Sequence, residues 1–158
     1  MTIQEALVKV GEELKSTMIQ TLKDNKSYNS GQLANSIMYD VRTREFNYEL
    51  VRTMLKYGDY VDQGIGRGPG KRPPVKPLME WIQMKNITVP TGLTVKQFAF
   101  AIAQKIHDRG TDPKPRPFIT PSIQQVMNTT GKELLQEAGV DTVVANIDGT
   151  LEDINVKQ

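Results

Sequence analysis

The chain has 158 residues, with 20 Lys and Arg against 18 Asp and Glu and a net charge of +2, which does not by itself announce a nucleic-acid binder. It has no Cys, which excludes a disulfide framework and thiolate chemistry and fits assembly in a reducing cytoplasm. The length is enough for one domain with its own core, and with no basic leader and no long apolar run the expectation is a soluble chain with no membrane partner.

Thr2 and Glu5 have capping-box spacing, and Ile3, Leu7, Val10, Leu14, Met18 and Leu22 recur every three or four residues. The spacing predicts a long amphipathic helix ending near Asp24. The polar run to Gln32 breaks it, and a short turn or helix surrounds Leu33. From Ser36 the period becomes two, with Ile37, Tyr39 and Val41, then Phe46, Tyr48 and Leu50, flanking a charged turn. That is a hairpin with one packed face, across which the first helix is expected to lie. Met54 to Val61 read as one or two helical turns.

The stretch Y-G-D-Y-V-D-Q-G-I-G-R-G-P-G-K-R-P-P-V-K-P, Tyr57 to Pro77, is the most distinctive in the chain. Its Gly and Pro residues bar a continuous helix and an interior strand, so residues 62–77 are expected to form a projecting arm. Arg67, Lys71, Arg72 and Lys76 stand there without an acid, whereas Glu137, Asp141, Asp148, Glu152 and Asp153 face only Lys157 near the C-terminus. A basic arm and an acidic tail on one chain suggest complementary surfaces.

Beyond the arm, Pro77 suits a first helical turn leading into Leu78, Trp81 and Ile82. Thr94 and Gln97 offer a second capping box for a helix with Val95, Phe98, Ile102 and Ile106 inward and Ala99 and Ala103 permitting close approach. It stops at Gly110. Pro113, Pro115 and Pro117 enforce an extended link, with Phe118 and Ile119 read as a short strand. A last helix is expected from Thr120-Pro121 to Gly139, weakened at Gly131. Residues 140–158 read as an acidic tail, loosely ordered unless a partner holds it. Trp81, Met79, Met84, Phe98 and Phe100 read as core, except that Phe98 and Phe100 cannot share one helix face. The whole predicts an α+β fold: a small antiparallel or mixed sheet packed against a long N-terminal helix and two or three further helices, with an extended arm. A single domain is expected over 1–139.

Motifs for chemistry are lacking. Gly70-Lys71 lacks the upstream Gly of a phosphate loop and is followed by Arg72-Pro73-Pro74, which forbids an immediate helix. His107 is the only histidine, and with no Cys a zinc site would rest on carboxylates. The pairs Asp59/Asp62 and Asp108/Asp112 sit beside turns and cations, where solvated acids are ordinary. No catalytic, cofactor-binding or metal-ligating residue is assigned. The arm cations suit docking on an acidic protein surface, contact with DNA phosphates or plain solvation as an exposed loop, with Arg67, Lys71 and Arg72 the candidate DNA-facing residues. The arm lacks the aromatics that single-strand stacking needs.

Three stretches, S-G-Q-L-A-N-S-I at Ser30 to Ile37, Y-G-D-Y-V-D-Q-G at Tyr57 to Gly64 and I-H-D-R-G-T-D-P-K-P-R-P-F-I-T-P-S-I at Ile106 to Ile123, occur in that order between a long first helix and a terminal helix. Together they resemble the neck and tail-completion (head-to-tail joining, minor tail) proteins of long-tailed bacteriophages, over about residues 1–138. The basic Pro-rich arm and the segment beyond Gly139 depart from that pattern. The resemblance implies a non-enzymatic virion protein without cofactor, assembled in the host cytoplasm as a ring at the head-to-tail junction. Its implied partners are itself, the portal or connector, the tail tube or tail terminator proteins, and channel DNA; alternative positions are a terminator capping the tail tube, or a DNA-binding protein acting through the arm. Tyr57, Tyr60, Arg67, Lys71, Arg72, Lys76, Arg116 and Phe118 are the expected oligomer or partner contacts.

Overall fold

The computed structural model describes residues 1–45, 47–66, 68–140, 143–148 and 151–157, the last two segments by their backbone alone. In chain order the elements are α1 (Ile3–Asp24), α2 (Gln32–Ser36), β1 (Met38–Arg44), β2 (Asn47–Thr53), α3 (Tyr57–Gln63), α4 (Val75–Met84), α5 (Val95–Arg109), α6 (Ile119–Met127), α7 (Thr130–Glu137), β3 (Val143–Asp148) and β4 (Leu151–Lys157). The fold is α+β, an antiparallel sheet packed on a long N-terminal helix with further helices and an extended segment. Where the sequence pointed to one domain over 1–139, the backbone divides into two compact units. The first joins Met1–Gln63 to Arg116–Gln158, and the second is Gly64–Pro115.

The first unit is organised by α1. Thr2 and Glu5 close the capping box in both directions, satisfying two otherwise unpaired amides of the first turn. Ala6, Leu7, Val10, Leu14, Met18 and Leu22 are each 0% exposed. Full burial of a Leu or Met of this kind stabilises by about 1.5–3 kcal/mol, so the apolar stripe, not helix propensity, holds α1. On one side it crosses the sheet so closely that a Cβ on Gly11 would stand 2.9 Å from Tyr39 Cβ and 3.2 Å from Leu50 Cδ1. The Tyr39 hydroxyl donates to Met18 Sδ at 3.5 Å. Elsewhere α1 meets α6, where the Thr21 and Ser122 hydroxyls are 3.2 Å apart, and α7. Phe118, Ile123, Val126 and Leu135 join its core cluster.

The sheet order is β1-β2-β4-β3. β1 and β2 pair in the register Met38↔Thr53 to Arg44↔Asn47, β2 pairs with β4 from Asn47↔Lys157 to Val51↔Asp153, and β3 pairs with β4 from Val143↔Val156 to Asp148↔Leu151. Tyr39 and Val41 pack against the core as expected, while Phe46 lies outside the described residues. The C-terminal segment, expected to be loosely ordered, instead supplies two strands; the two-residue spacing of Ile154 and Val156 was the signal for β4, and pairing on β2 satisfies its backbone.

Two further expectations change. Phe118 and Ile119 are not a strand: Phe118 is the N-cap of α6 and Ile119 its first residue. The terminal helix is also two helices, interrupted at Asn128-Thr129, where Thr129 has ψ −118. The chain bends back so tightly there that a Cβ on Gly131 would stand 2.8 Å from the Val126 carbonyl oxygen.

The second unit is built on α4 and α5. Thr94 and Gln97 form the second capping box. Ile82 is 1% exposed and Ala99 and Ala103 are 0%, so small residues on α5 allow close helix packing. Trp81 and Met84, expected in the core, are 39% and 45% exposed, on a helix whose buried residue is Ile82; Phe100, at 48%, is the outward member of the Phe98/Phe100 pair.

Candidate functional site

Within the first unit the second motif segment meets the first, and it also meets the part of the third that lies there, from Arg116 on; Ile106 to Pro115 belong to the second unit. Leu33 of α2 packs on α3 at Gly58, where a Cβ would approach Leu33 Cδ1 to 2.9 Å and Met54 Sδ to 2.8 Å. Ser36 accepts from Leu55 N at 3.0 Å and donates to Leu33 O at 2.7 Å, fastening α2 to the segment entering α3. Tyr57 hydrogen-bonds the Leu33 backbone, and partial burial pushes its hydroxyl pKa up.

The second and third motifs meet at Asp62. One carboxylate oxygen accepts from Phe118 N at 2.8 Å and Ile119 N at 3.0 Å. Phe118 has no capping side chain of its own, so an acid from α3 caps α6 across the fold, placing negative charge at a helix N-terminus. Arg116 N donates to Val61 O at 3.1 Å, Arg116 Nη1 donates to Lys26 O at 3.3 Å, and Asn25 Nδ2 donates to Arg116 O at 3.4 Å. The link before α6 is thereby pinned between α3 and the end of α1. Arg52 on β2 is 1% exposed, and its guanidinium pulls the Asp59 carboxyl downward; burial is the larger effect and holds Asp59 above the usual carboxylate range.

The expected contact residues are therefore of three kinds. Tyr57 and Tyr60, at 40% and 44% exposed, are presented outward on α3. Arg116 is exposed but committed to the pinning bonds just described. Phe118 is corrected: it is 0% exposed and part of the core, so it is no partner contact in this fold.

Lys71, Arg72 and Lys76 belong to the second unit and are exposed there; Arg67 lies outside the described residues. The expected arm over 62–77 is helical at both ends, Asp62 and Gln63 closing α3 and Val75 to Pro77 opening α4; among the described residues between them there is no helix or strand, and that segment is not free. Gly64, at φ +69, passes Pro115 so closely that a Cβ would stand 2.5 Å from its nitrogen, and a Cβ on Gly66 would collide with the Thr111 carbonyl. Gly70 N donates to His107 O at 2.7 Å, Arg72 Nη2 donates to Gln104 Oε1 at 2.6 Å, and the Arg72 guanidinium lies 4.9 Å from the centre of the Phe100 ring. The segment is a strap along α5 and the link after it. Asp108, on the same helix, is bonded to His107 Nδ1 and Gln104 Nε2, which hold its carboxyl below the usual range.

Charge divides with the backbone. Residues 64–115 carry nine Lys and Arg and three Asp and Glu, net +6, leaving eleven and fifteen in the rest, net −4. The eight described cations of the second unit are all exposed. Sequence reading placed this positive charge in the arm; it is spread over the unit, with Lys85, Lys96, Lys105, Arg109 and Lys114 contributing as well.

Among the described residues, no group of three or more His, Asp or Glu is placed to hold a metal ion, and no helix is long and apolar enough to cross a membrane. Comparison with known protein families, with curated proteins and with solved structures gives no match to this chain.

Proposed function

We propose that the chain is a structural protein of a long-tailed bacteriophage virion, without enzymatic activity, which forms a ring at the neck and joins the portal or connector to the tail. The observation that carries this reading is the meeting of the three motif segments at Leu33/Gly58 and Asp62/Phe118. Their resemblance to neck and tail-completion proteins rests on the residues of each stretch and on their order and spacing. Their convergence gives that order a physical purpose: contacts at Gly58 and Asp62 tie α2, α3 and the start of α6 together, with Tyr57 and Tyr60 exposed on α3. Such ties suit a ring subunit, since a body ordered before assembly loses less entropy on docking.

Deleting the protein from its phage tests the reading. Electron microscopy of the lysate is expected to show filled heads and finished tails that fail to join. Normal infectious particles without the protein would refute it.

The charge division favours a second reading, in which the net +6 of the second unit engages DNA phosphates. Binding would then weaken steeply as salt rises, roughly in proportion to the number of phosphates neutralised. Reversing Lys71, Arg72 and Lys76 would weaken duplex binding without unfolding the chain. A protein that forms rings and ignores DNA at low salt would exclude it.

A further inference from the structure

The sheet ends in two strands with one neighbour each: β1, bonded to β2, and β3, bonded to β4. All three joints are antiparallel. With four strands alternating in direction, the two outermost run opposite ways. A second copy brought alongside by a rotation that preserves strand direction therefore sets its β1 antiparallel to the first copy's β3, and the ladder continues unchanged. An odd number of strands would have made that joint parallel. The edges match in length, seven residues in β1 and six in β3.

The β1 edge is built to receive a strand. Its register with β2 is unbroken over seven residues, without proline or bulge, although natural proteins ordinarily blunt exposed edges with such devices. Between α1 and β1 runs a groove of about 310 Å³ whose lining mixes Val8, Met38 and Val41 with Glu12, Lys15 and Asp40. Val8 and Met38 are 47% and 53% exposed there, two apolar side chains beside an open edge. Charge also distinguishes the partner. On β1 the cations Arg42 and Arg44 outnumber Asp40, with Arg44 paired to Glu49 at 3.3 Å, whereas β3 carries one charged residue, the acid Asp148.

We infer that copies of the chain associate head to tail through their sheets, β1 of one with β3 of the next. This rests on the ring reading above and gives it a specific joint. The contact is heterologous, so it closes into a ring when the rotation divides a full turn and otherwise runs on as a filament. The right-handed twist of strands supplies a rotation at every joint.

The chain has no cysteine, so introduced thiols report without background. Full-length Arg42→Cys is mixed with full-length Val144→Cys, and separately with Ala145→Cys, which together cover both faces of β3; each mixture is oxidised mildly after assembly. The expected result is a crosslinked pair between the two variants in at least one mixture, abolished when Val8→Glu and Met38→Lys are added to the β1 partner. Crosslinking of Arg42→Cys to itself alone would mean that β1 meets β1 about a twofold axis, and would overturn the inference. So would native rings that form with no β1 to β3 crosslink, an outcome that leaves the ring reading standing. If the native chain is monomeric both in solution and in purified virions, the ring reading fails, and the joint with it.

Discussion

Asp62 on α3 caps α6 through Phe118 N and Ile119 N, at 2.8 Å and 3.0 Å, across 56 residues of sequence. The cap does more than start a helix. It fixes where the chain re-enters the first unit after residues 64–115, and so holds Phe118 in the core. Asp62→Ala is expected to cost about 1–2 kcal/mol, the usual loss when a cap is removed, and Asp62→Asn less, since one acceptor oxygen remains. Urea unfolding at neutral pH measures both. Equal stability for Asp62→Ala and the native chain would remove the tertiary cap from the account.

Gly58 supplies a test of sign. In an exposed helix, Gly→Ala stabilises by about 0.5–1 kcal/mol. At Gly58 the added carbon would press on Leu33 and Met54 at under 3 Å, so Gly58→Ala is expected to destabilise by about 1–3 kcal/mol, as overpacking does. A stabilised variant would show that α2 and α3 are not in contact here.

Much of this fold was legible before any coordinates. α1, the first hairpin and both capping boxes follow from periodicity and from short-range spacing, because a helix or strand that buries one face must repeat at its own period. The misreadings differ in cause. The fate of Phe118 is decided by Asp62, 56 residues away, whereas the interruption at Thr129 is local, Val126 and Gly131 meeting across it, and Trp81 is exposed on a helix whose buried residue is Ile82. The glycines of the strap depend on distant residues too. Read as breakers of helix and strand, they suggested a projecting arm, yet Gly64 and Gly66 are small because residues 111–115 pass against them.

Phe118 and Tyr60 should separate stability from assembly. Phe118→Ala removes a fully buried aromatic and is expected to cost about 3–5 kcal/mol. Tyr60→Ala alters an exposed side chain and should change stability by no more than about 0.5 kcal/mol while impairing incorporation into particles. Thermal unfolding and a particle-incorporation assay, run side by side, check the pair; a strongly destabilised Tyr60→Ala would return Tyr60 to the core.

The pH dependence should carry the signature of Asp59. Burial raises its carboxyl pKa in the folded state against the pull of Arg52, with Asp62 adding to the rise and Lys56 opposing it. The folded protein thus holds this proton more tightly than the unfolded chain does, so the contribution is fully present below the ordinary Asp value of about 3.9. It is lost as pH rises through the elevated value. Comparison with Asp59→Asn isolates it: the native chain should lose stability relative to the variant as pH climbs from about 3 to about 7. A constant difference, or one of opposite slope, would contradict the assignment.

The central claim is that this 17.7 kDa chain works as a ring in the virion. Its most direct test is the native mass of the form released when purified particles are gently disrupted. A single species at a fixed multiple of the chain mass, released from the head-to-tail junction, is the expected result. A chain absent from purified particles, or present in them only as a monomer, would contradict it.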